Sequence, residues 1–298
     1  TALRLLGVDI KEEEGLLKCS AKALKGAAVP LSFPSVGATE NVMMAAVMAQ
    51  GETRIINPAR EPEVVDLQNY LVSCGADITG AGGKEIRIKG GLPLHESEYK
   101  PIPDRIEGGT ILAAVAAAKG KVLLKEAIPE HLEAILDRLS ESGCNVRKDS
   151  GAIYLEAPER LLAVTPMETQ PYPGFPTDMQ SQFVALMCCA DGTTKITESI
   201  FENRFKHVAE LNKMGADIII NGRTATIKGV SRLRGCRVTA ADLRGGASLV
   251  IAGLAAEGST IVDNISHIDR GYERLEDILG GLGAQIVRTK TTEESGKQ

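Results

Sequence analysis

Phe175-Pro-Thr-Asp-Met-Gln-Ser-Gln-Phe183 joins a loop punctuated by prolines to an apolar helix, so Asp178 lies where a rigid loop meets a helix N-terminus. Thr177 and Gln180 have the spacing of a capping box, and the helix dipole favours an acidic residue near a helix start. Helix capping alone is therefore one interpretation of the motif. The same arrangement recurs along the chain, which favours a more specific role.

A short glycine signature, Gly-x-x-Ile/Val, marks an internal repeat. It recurs at intervals of roughly 70 residues, at Gly7, Gly75, Gly143, Gly215 and Gly283. Before the last four signatures, an Ala-rich helix, a strand and a second amphipathic helix follow one another, and short strands close the unit. The Ala-rich helices are predicted over residues 35–49, 104–118, 178–190 and 242–256, and the second helices over 63–74, 130–142, 207–214 and 272–282.

The predicted fold class is α/β, built from repeated helix-strand-helix-strand-strand modules. Five signatures but four helix openings indicate that the chain begins inside a module, so we expect the C-terminal part of a longer protein. A polar, proline-containing stretch ends near residue 103. We therefore predict a partial first domain over 1–102, a second domain over 103–287 and a solvated tail over 288–298.

Composition excludes several classes of function. A hydrophobic content of 43% and a charged content of 24% are typical of a soluble globular protein, and no apolar run approaches the ~20 residues of a membrane span. A net charge of −5 argues against a nucleic-acid surface. The six cysteines have neither C-x-x-C spacing nor a histidine at ligand distance, which favours reduced thiols in the cytoplasm and predicts no metal site or cofactor.

Arginines recur in the loops or first turns that open helices, at Arg60, Arg105, Arg204, Arg244 and Arg270. If the repeats pack symmetrically, helix N-termini converge and form an anion site even in an acidic protein. The functional interpretation is a cleft in which arginines hold phosphate or carboxylate while a carboxylate takes a proton from a hydroxyl. The alternative is that these residues are caps and ion pairs that recur in each copy.

Seven stretches together resemble the UDP-N-acetylglucosamine 1-carboxyvinyltransferases, a family of enolpyruvyl transferases. They begin at Ser35, Ala59, Pro103, Phe175, Phe201, Asp242 and His267 and span nearly the whole chain. The resemblance implies inside-out α/β barrels, each of three repeats, with the active site in the cleft between two domains and the first domain incomplete here.

The resemblance also implies roles for individual residues. Asp178 would accept the proton of the sugar 3-hydroxyl, Arg270 and Arg244 would hold phosphoenolpyruvate, and Asp242 would hydrogen-bond the reacting groups. Ser35 and Val36, with Phe33 and Pro34, would contact the uridine diphosphate, Ile200 the nucleotide sugar, and Arg204 would help to shape the cleft. The predicted substrate-binding set is Phe33, Pro34, Ser35, Val36, Gly37, Glu61, Asp104, Ile200 and Arg204.

The implied reaction transfers the enolpyruvyl group of phosphoenolpyruvate to UDP-N-acetylglucosamine and releases phosphate, as the first committed step of peptidoglycan synthesis. The expected partners are these two substrates, with neither nucleic acid nor membrane, and the complete protein is expected to be a monomer. The family's N-terminal part carries a mobile loop whose cysteine is the general acid. No cysteine of this chain stands in a matching context, so we expect little turnover from the chain alone.

Two alternatives remain open at this point. One is the sister enolpyruvyl transferase that acts on shikimate 3-phosphate, although Ser35-Val-Gly37 and the Phe-Pro-Thr-Asp stretch favour the nucleotide-sugar enzyme. The other is a non-catalytic nucleotide-sugar binding module. The absent cysteine loop supports such a module, whereas Asp178, Arg244 and Arg270 argue against it.

Overall fold

The computed structural model describes residues 2–289, which form two compact units. Within the described residues, the first unit comprises residues 2–103 and Gln170–Gly174, and the second comprises Asp104–Thr169 and residues 175–289. The division after Pro103 lies one residue from the expected boundary. The short segment Gln170–Gly174 lies between two parts of the second unit in sequence but packs with the first unit. The sequence pattern did not predict this.

Within residues 2–103, the first unit contains three helices, and its strands form a hairpin and a mixed sheet. The helices are α1 (Ala2–Leu5), α2 (Val36–Ala46) and α3 (Pro62–Ser73), and the strands are β1 (Asp9–Glu13), β2 (Leu16–Ser20), β3 (Ala28–Pro30), β4 (Gly51–Ile56), β5 (Asp77–Thr79) and β6 (Glu85–Gly90). Strands β1 and β2 pair alone, and the other four have the order β3-β4-β6-β5.

The first unit's core lies between α2 and one face of its four-stranded sheet. Val42 and Met43 of α2 belong to the same fully buried cluster as Ile55, Ile86 and Ile88 of the sheet. In β6 the buried isoleucines alternate with exposed residues, because successive side chains of a strand point to opposite faces.

The second unit is larger and repeats one helix-and-sheet arrangement. Its helices are α4 (Arg105–Ala117), α5 (Glu133–Glu141), α6 (Gln180–Met187), α7 (Val208–Lys213), α8 (Leu243–Ala255), α9 (Ser266–Asp269) and α10 (Leu275–Gly281). Its strands are β7 (Lys121–Lys125), β8 (Asn145–Asp149), β9 (Ala152–Glu156), β10 (Met167–Glu168), β11 (Thr193–Thr197), β12 (Asp217–Asn221), β13 (Thr224–Lys228), β14 (Leu233–Arg234), β15 (Arg237–Thr239), β16 (Ala256–Glu257) and β17 (Ile261–Asp263).

Helices α4, α6 and α8 pack against one another at the centre of this unit. All eight residues of α6 are buried, and α4 is buried at ten of its positions. Strands of the sheets β7-β9-β8 and β10-β11-β13-β12 bury alternate residues and expose the others. The unit therefore has helices inside and sheets outside, which confirms the predicted α/β class with repeated modules.

The repeat signature has a backbone explanation. All five signature glycines follow a helix and have φ between 91° and 99°. Residues with a Cβ rarely adopt this left-handed conformation, which closes a helix and turns the chain into the next segment. The period visible in the sequence is therefore the period at which a helix must end.

Several predicted bounds are corrected by the structure. The predicted helix over 178–190 begins with a 3-10 turn, Thr177–Met179, and α6 ends at Met187. The helix predicted from residue 272 begins at Leu275, because Arg274 has a left-handed backbone with φ of 48°. In the predicted tail, Arg288 pairs with Asp269 and Glu276, and residues 290–298 lie outside the described part of the chain.

Candidate active site

Asp178 lies in the 3-10 turn that precedes α6, and its carboxylate does not cap that helix. The turn follows Pro176, and no side chain hydrogen-bonds the backbone N–H groups at its start. The predicted capping box is therefore wrong. The Thr177 hydroxyl donates instead to Oε2 of Glu198 at 2.8 Å. Asp178 is thus left available for other groups.

Two arginines from different parts of the second unit meet at one oxygen of Asp178. Arg204 Nη2 lies 2.5 Å from Oδ1, and Arg244 Nε lies 3.3 Å from the same atom. The arginine side chains are about 15% exposed, whereas the Asp178 side chain is 41% exposed. Within residues 2–289 no hydrogen bond reaches Oδ2 of Asp178. The carboxylate is therefore held through one oxygen and presents the other.

The charge state of Asp178 follows from two opposing effects. Partial burial raises the pKa of the carboxyl. The guanidinium groups of Arg244 and Arg204 lower the pKa by charge and by hydrogen bonding, and their effect is larger than that of burial. The net pKa lies below the ordinary value of an aspartate. Asp178 is consequently an ionised hydrogen-bond acceptor at neutral pH.

A buried polar network lies behind Arg244. Its Nη1 donates to the hydroxyl of Tyr272 at 2.9 Å, and that hydroxyl lies 2.9 Å from Thr110 Oγ1. Gln182 Nε2 bonds the backbone oxygen of Asp178 at 2.8 Å, and also the Thr110 and Tyr272 hydroxyls. Helices α4, α6 and α8 therefore each contribute one polar side chain to this network: Thr110, Gln182 and Arg244 respectively.

Sequence reasoning missed Thr110, Gln182 and Tyr272 as site residues. A usable signal was present, since Thr110 and Gln182 are polar residues in two helices whose other residues are mostly buried. Buried polar groups are expected to be hydrogen-bonded, so such positions predict partners in the core.

Glu198 organises the loop that carries Arg204. Its side chain is 1% exposed, and Oε1 accepts hydrogen bonds from the backbone N–H groups of Ile200 and Phe201 and from the Thr169 hydroxyl. Ile200, predicted to contact the nucleotide sugar, is therefore placed by this carboxylate through its backbone. Sequence reasoning missed Glu198 as well.

Asp242 and Asp104 are helix caps. Asp242 accepts a hydrogen bond from the Gly245 N–H at 2.8 Å, and Asp104 accepts from Ile106 and Glu107 at 2.7 and 3.1 Å. These bonds satisfy N–H groups that a helix start leaves unpaired. The capping alternative thus describes these two carboxylates, although their equivalent, Asp178, has a different environment.

His207 lies close to both Asp242 and Arg204. Its side chain is buried, and neither ring nitrogen has a hydrogen-bond partner in the described part of the chain. Its pKa is lowered to about 4, mainly by burial. The charge of Asp242 raises the pKa and the charge of Arg204 lowers it. The imidazole is therefore neutral at physiological pH.

Arg270 lies on the exposed turn after α9, and its guanidinium makes no hydrogen bond to residues 2–289. The structure does not bring it into the hydrogen-bonded cluster at Asp178. Its neighbour Asp269 is held by two hydrogen bonds from Arg288, which also pairs with Glu276. A groove of about 770 Å³ runs along this segment.

In the first unit, Ser35 caps α2 by accepting a hydrogen bond from the Ala38 N–H at 3.3 Å. Phe33 and Gly37 are exposed, and Pro34 and Val36 are partly exposed. Together these residues form a short surface segment that ends in a helix N-terminus.

Glu61 immediately precedes α3 but makes no capping bond with its side chain. Its Oε1 accepts a hydrogen bond from the Tyr172 N–H at 3.4 Å, whereas Oε2 is buried without a partner in the described residues.

Two negative findings concern residues 2–289 only. No group of three or more His, Cys, Asp or Glu side chains there is arranged to hold a metal ion. None of the helices in this range is both long and apolar enough to cross a lipid bilayer.

Comparison with known sequences gives consistent matches along the chain. The family described as EPSP synthase (3-phosphoshikimate 1-carboxyvinyltransferase) matches residues 1–279. UDP-N-acetylglucosamine 1-carboxyvinyltransferase 2 of Caldanaerobacter subterraneus is 50% identical over 286 residues, which are 96% of this chain and 69% of that protein. The corresponding enzyme of Shewanella woodyi is 51% identical over 287 residues, covering 96% of this chain and 68% of the relative.

Solved structures share the architecture. The enolpyruvyl transferase NikO from Streptomyces tendae superposes with a TM-score of 0.85 at 26% identity and covers 95% of this chain and 70% of its own. EPSP synthase from Acinetobacter baumannii gives a TM-score of 0.69 at 19% identity, over 93% of this chain and 68% of its own. At that identity the second likeness shows the fold alone.

Proposed function

The chain belongs to the enolpyruvyl transferase family that includes EPSP synthase, and from this we infer that it acts as a UDP-N-acetylglucosamine 1-carboxyvinyltransferase. The reaction transfers the enolpyruvyl group of phosphoenolpyruvate to the sugar 3-hydroxyl and releases phosphate. It supplies peptidoglycan synthesis, and so contributes to cell-wall biogenesis, cell shape and cell division. Because both substrates are cytoplasmic metabolites, the proposed location is the cytoplasm.

One observation carries this proposal. Several relatives bear this enzyme's name. Each is about 50% identical to this chain over an aligned stretch that covers at least 96% of it. The solved EPSP synthases are only about 20% identical, so they support the fold rather than shikimate 3-phosphate as a substrate.

The proposed general base is Asp178. Its Oδ2 has no partner among the described residues, so it can accept the proton that leaves the attacking hydroxyl. Its Oδ1 is fixed by two guanidinium groups, which orient the carboxylate. The weakness of this base in the unliganded protein follows from those same charges. An anion that shares the arginines would make Asp178 more basic, since like charges disfavour ionisation.

The proposed phosphoenolpyruvate contacts are Arg244 and Arg270. In Arg244, Nε and Nη1 are engaged by Asp178 and Tyr272, so among the described residues Nη2 has no hydrogen-bond partner and can face an anion. Arg270 offers a whole exposed guanidinium, and Arg204 retains Nε. Guanidinium groups suit phosphate and carboxylate because their N–H donors form a planar fork. Asp242 is proposed to act near the reacting groups from the start of α8.

The proposed nucleotide contacts in the first unit are Phe33 to Gly37 and Glu61. The backbone N–H groups at the start of α2 suit an anionic diphosphate, and the exposed Phe33 ring suits an apolar contact with uridine. In the second unit, Ile200 and Asp104 complete the proposed set. We propose no metal or cofactor for the reaction, and we propose that the complete protein is a monomer.

The test measures phosphate release by the purified chain with UDP-N-acetylglucosamine and phosphoenolpyruvate, and separately measures binding of each by calorimetry. Binding is read on its own because the chain spans 69% of its relatives' length. Asp178→Asn should abolish release while leaving nucleotide-sugar binding within a few fold. Asp191→Asn is the matched control, since Asp191 is an exposed aspartate of the same unit that forms an ion pair with Arg160, away from Asp178.

The outcomes distinguish the candidate functions. Release that depends on Asp178 supports the transferase. Displacement of bound nucleotide sugar by shikimate 3-phosphate would favour the sister enzyme instead. Tight nucleotide-sugar binding without any effect of phosphoenolpyruvate would favour a binding module, and absence of binding to either substrate would contradict the proposal.

A further inference from the structure

The hydrogen bonds around Glu198 have a fixed direction. The N–H groups of Ile200 and Phe201 can only donate. The Thr169 hydroxyl accepts from the Ser199 N–H at 2.9 Å, so its own proton points to Glu198. Glu198 Oε1 is therefore an acceptor for three neutral donors, within a side chain that is 1% exposed.

The other oxygen of Glu198 reaches the site through Thr177. Arg204 Nη1 donates to Thr177 Oγ1 at 3.2 Å, and arginine has no acceptor atom. The single hydroxyl proton of Thr177 must therefore point to Glu198 Oε2, 2.8 Å away. The same guanidinium places Nη2 at 2.5 Å from Asp178 Oδ1. An ordered chain thus runs from Glu198 through Thr177 and Arg204 to Asp178.

We propose that Glu198 is a positioning residue for the transfer reaction: through the Thr177 hydroxyl it fixes the Arg204 guanidinium against Asp178. Glu198 also holds the loop that begins after β11 and carries Arg204, through the N–H groups of Ile200 and Phe201. Glu198 therefore holds Arg204 through its loop, and it holds Thr177, the neighbour of Asp178, through a hydrogen bond. The inference deepens the proposed function, because Asp178 is the base in that proposal.

Glu198→Gln separates this role from simple packing, because glutamine has nearly the same shape. The three donors at Oε1 retain an oxygen, so the amide NH₂ must occupy the position of Oε2. An NH₂ group cannot accept the Thr177 proton. Thr177 then loses the carboxylate that accepts its proton, so its oxygen becomes a weaker acceptor and the hydrogen bond from Arg204 weakens. Asp178 consequently loses part of its interaction with one of its two cations.

The measurement is the titration of Asp178 by ¹³C NMR of aspartate carboxyls in the whole chain, with its resonance assigned from Asp178→Asn. The groups that face Asp178 are Arg204 from the loop and Arg244 from α8, with His207 and Asp242 beside them. Glu198→Gln should move the Asp178 midpoint upward, toward that of an ordinary aspartate, because Arg204 is among the charges that set this midpoint and Glu198 is not. The control Glu141→Gln removes a carboxylate that bonds the Thr165 N–H and Arg138 in the same unit, and should leave the midpoint unchanged.

A second pair of variants keeps the inference testable if Glu198→Gln does not fold. Thr177→Val removes the hydroxyl and should raise the midpoint, whereas Thr177→Ser retains the hydroxyl and should restore it. Folded Glu198→Gln with the wild-type midpoint would overturn the inference, as would equal midpoints in Thr177→Val and Thr177→Ser, or an equal shift in Glu141→Gln. The titration needs neither turnover nor bound substrate, so absence of substrate binding would count against the proposed function without affecting this result.

Discussion

His207 should make the stability of the protein depend on pH in a defined window. It is 2% exposed, and its pKa in the folded chain is about 4, mainly because burial disfavours the imidazolium. In the unfolded chain the ordinary value of 6.5 applies. As pH falls below 6.5 the unfolded state takes up a proton that the folded state cannot, so folding is penalised. Stability from this residue is complete above 6.5 and is lost between 6.5 and about 4.

The magnitude follows from the size of that difference. A fall in pKa from 6.5 to about 4, at about 1.4 kcal/mol for each pH unit, corresponds to about 3 kcal/mol. Most of it, about 2 kcal/mol, is lost by pH 5. The substitution His207→Phe removes the titrating ring and breaks no hydrogen bond to a described residue, because neither nitrogen has such a partner.

The assay is urea unfolding followed by circular dichroism at several pH values between 7 and 4.5. Between pH 7 and pH 5, the wild-type free energy of unfolding should fall by about 2 kcal/mol more than that of His207→Phe. Val208→Ala is the control, since it removes buried volume next to His207 without a titrating group and should shift the curve equally at every pH. Parallel pH profiles for wild type and His207→Phe would refute the reasoning.

Three further predictions concern the second unit. Asp104→Ala should lower the free energy of unfolding by about 1 kcal/mol through loss of the α4 cap, and Asp104→Asn should restore most of it because an acceptor oxygen remains; equal losses would contradict a capping role. Tyr272→Phe should lower the free energy of unfolding by about 1–3 kcal/mol, since it leaves buried partners unsatisfied. Tyr154→Phe, at an exposed hydrogen bond, should lower it by less than about 0.5 kcal/mol. Saturating phosphoenolpyruvate should raise the NMR midpoint of Asp178, because an added anion opposes its ionisation; an unchanged midpoint would place the ligand elsewhere.

The fold could be read from the sequence because its signals are local and periodic. Glycines with positive φ end the helices, and apolar helices alternate with short alternating strands. Three of the four predicted openings of the Ala-rich helices, at Ser35, Asp104 and Asp242, coincide with N-caps in the structure. Exact helix starts were less predictable, since the 3-10 turn at Thr177 depends on hydrogen bonds to residues far along the chain.

The candidate site was only partly predictable, for a related reason. The sequence placed Asp178, Asp242 and Asp104 in equivalent positions and could not tell which carboxylate was a cap. That distinction depends on Arg204 and Arg244, which lie 26 and 66 residues from Asp178. The supporting residues Glu198 and Tyr272 also depend on contacts that are distant in sequence. Roles assigned from the family resemblance to Arg270 and to the first unit's residues stay predictions.

The burial of α6 has a consequence for motion. A helix whose eight residues are all covered by neighbours should exchange its amide hydrogens only in rare openings of the whole unit. Asp178 stands at the start of this helix, and its backbone oxygen is tied to Gln182 one turn later. The carboxylate is therefore attached to a segment in which we expect local unfolding to be rare. The segments that bear Arg204 and Arg270 have exposed loop residues beside them, so we expect them to move more readily than Asp178 when a substrate enters or leaves.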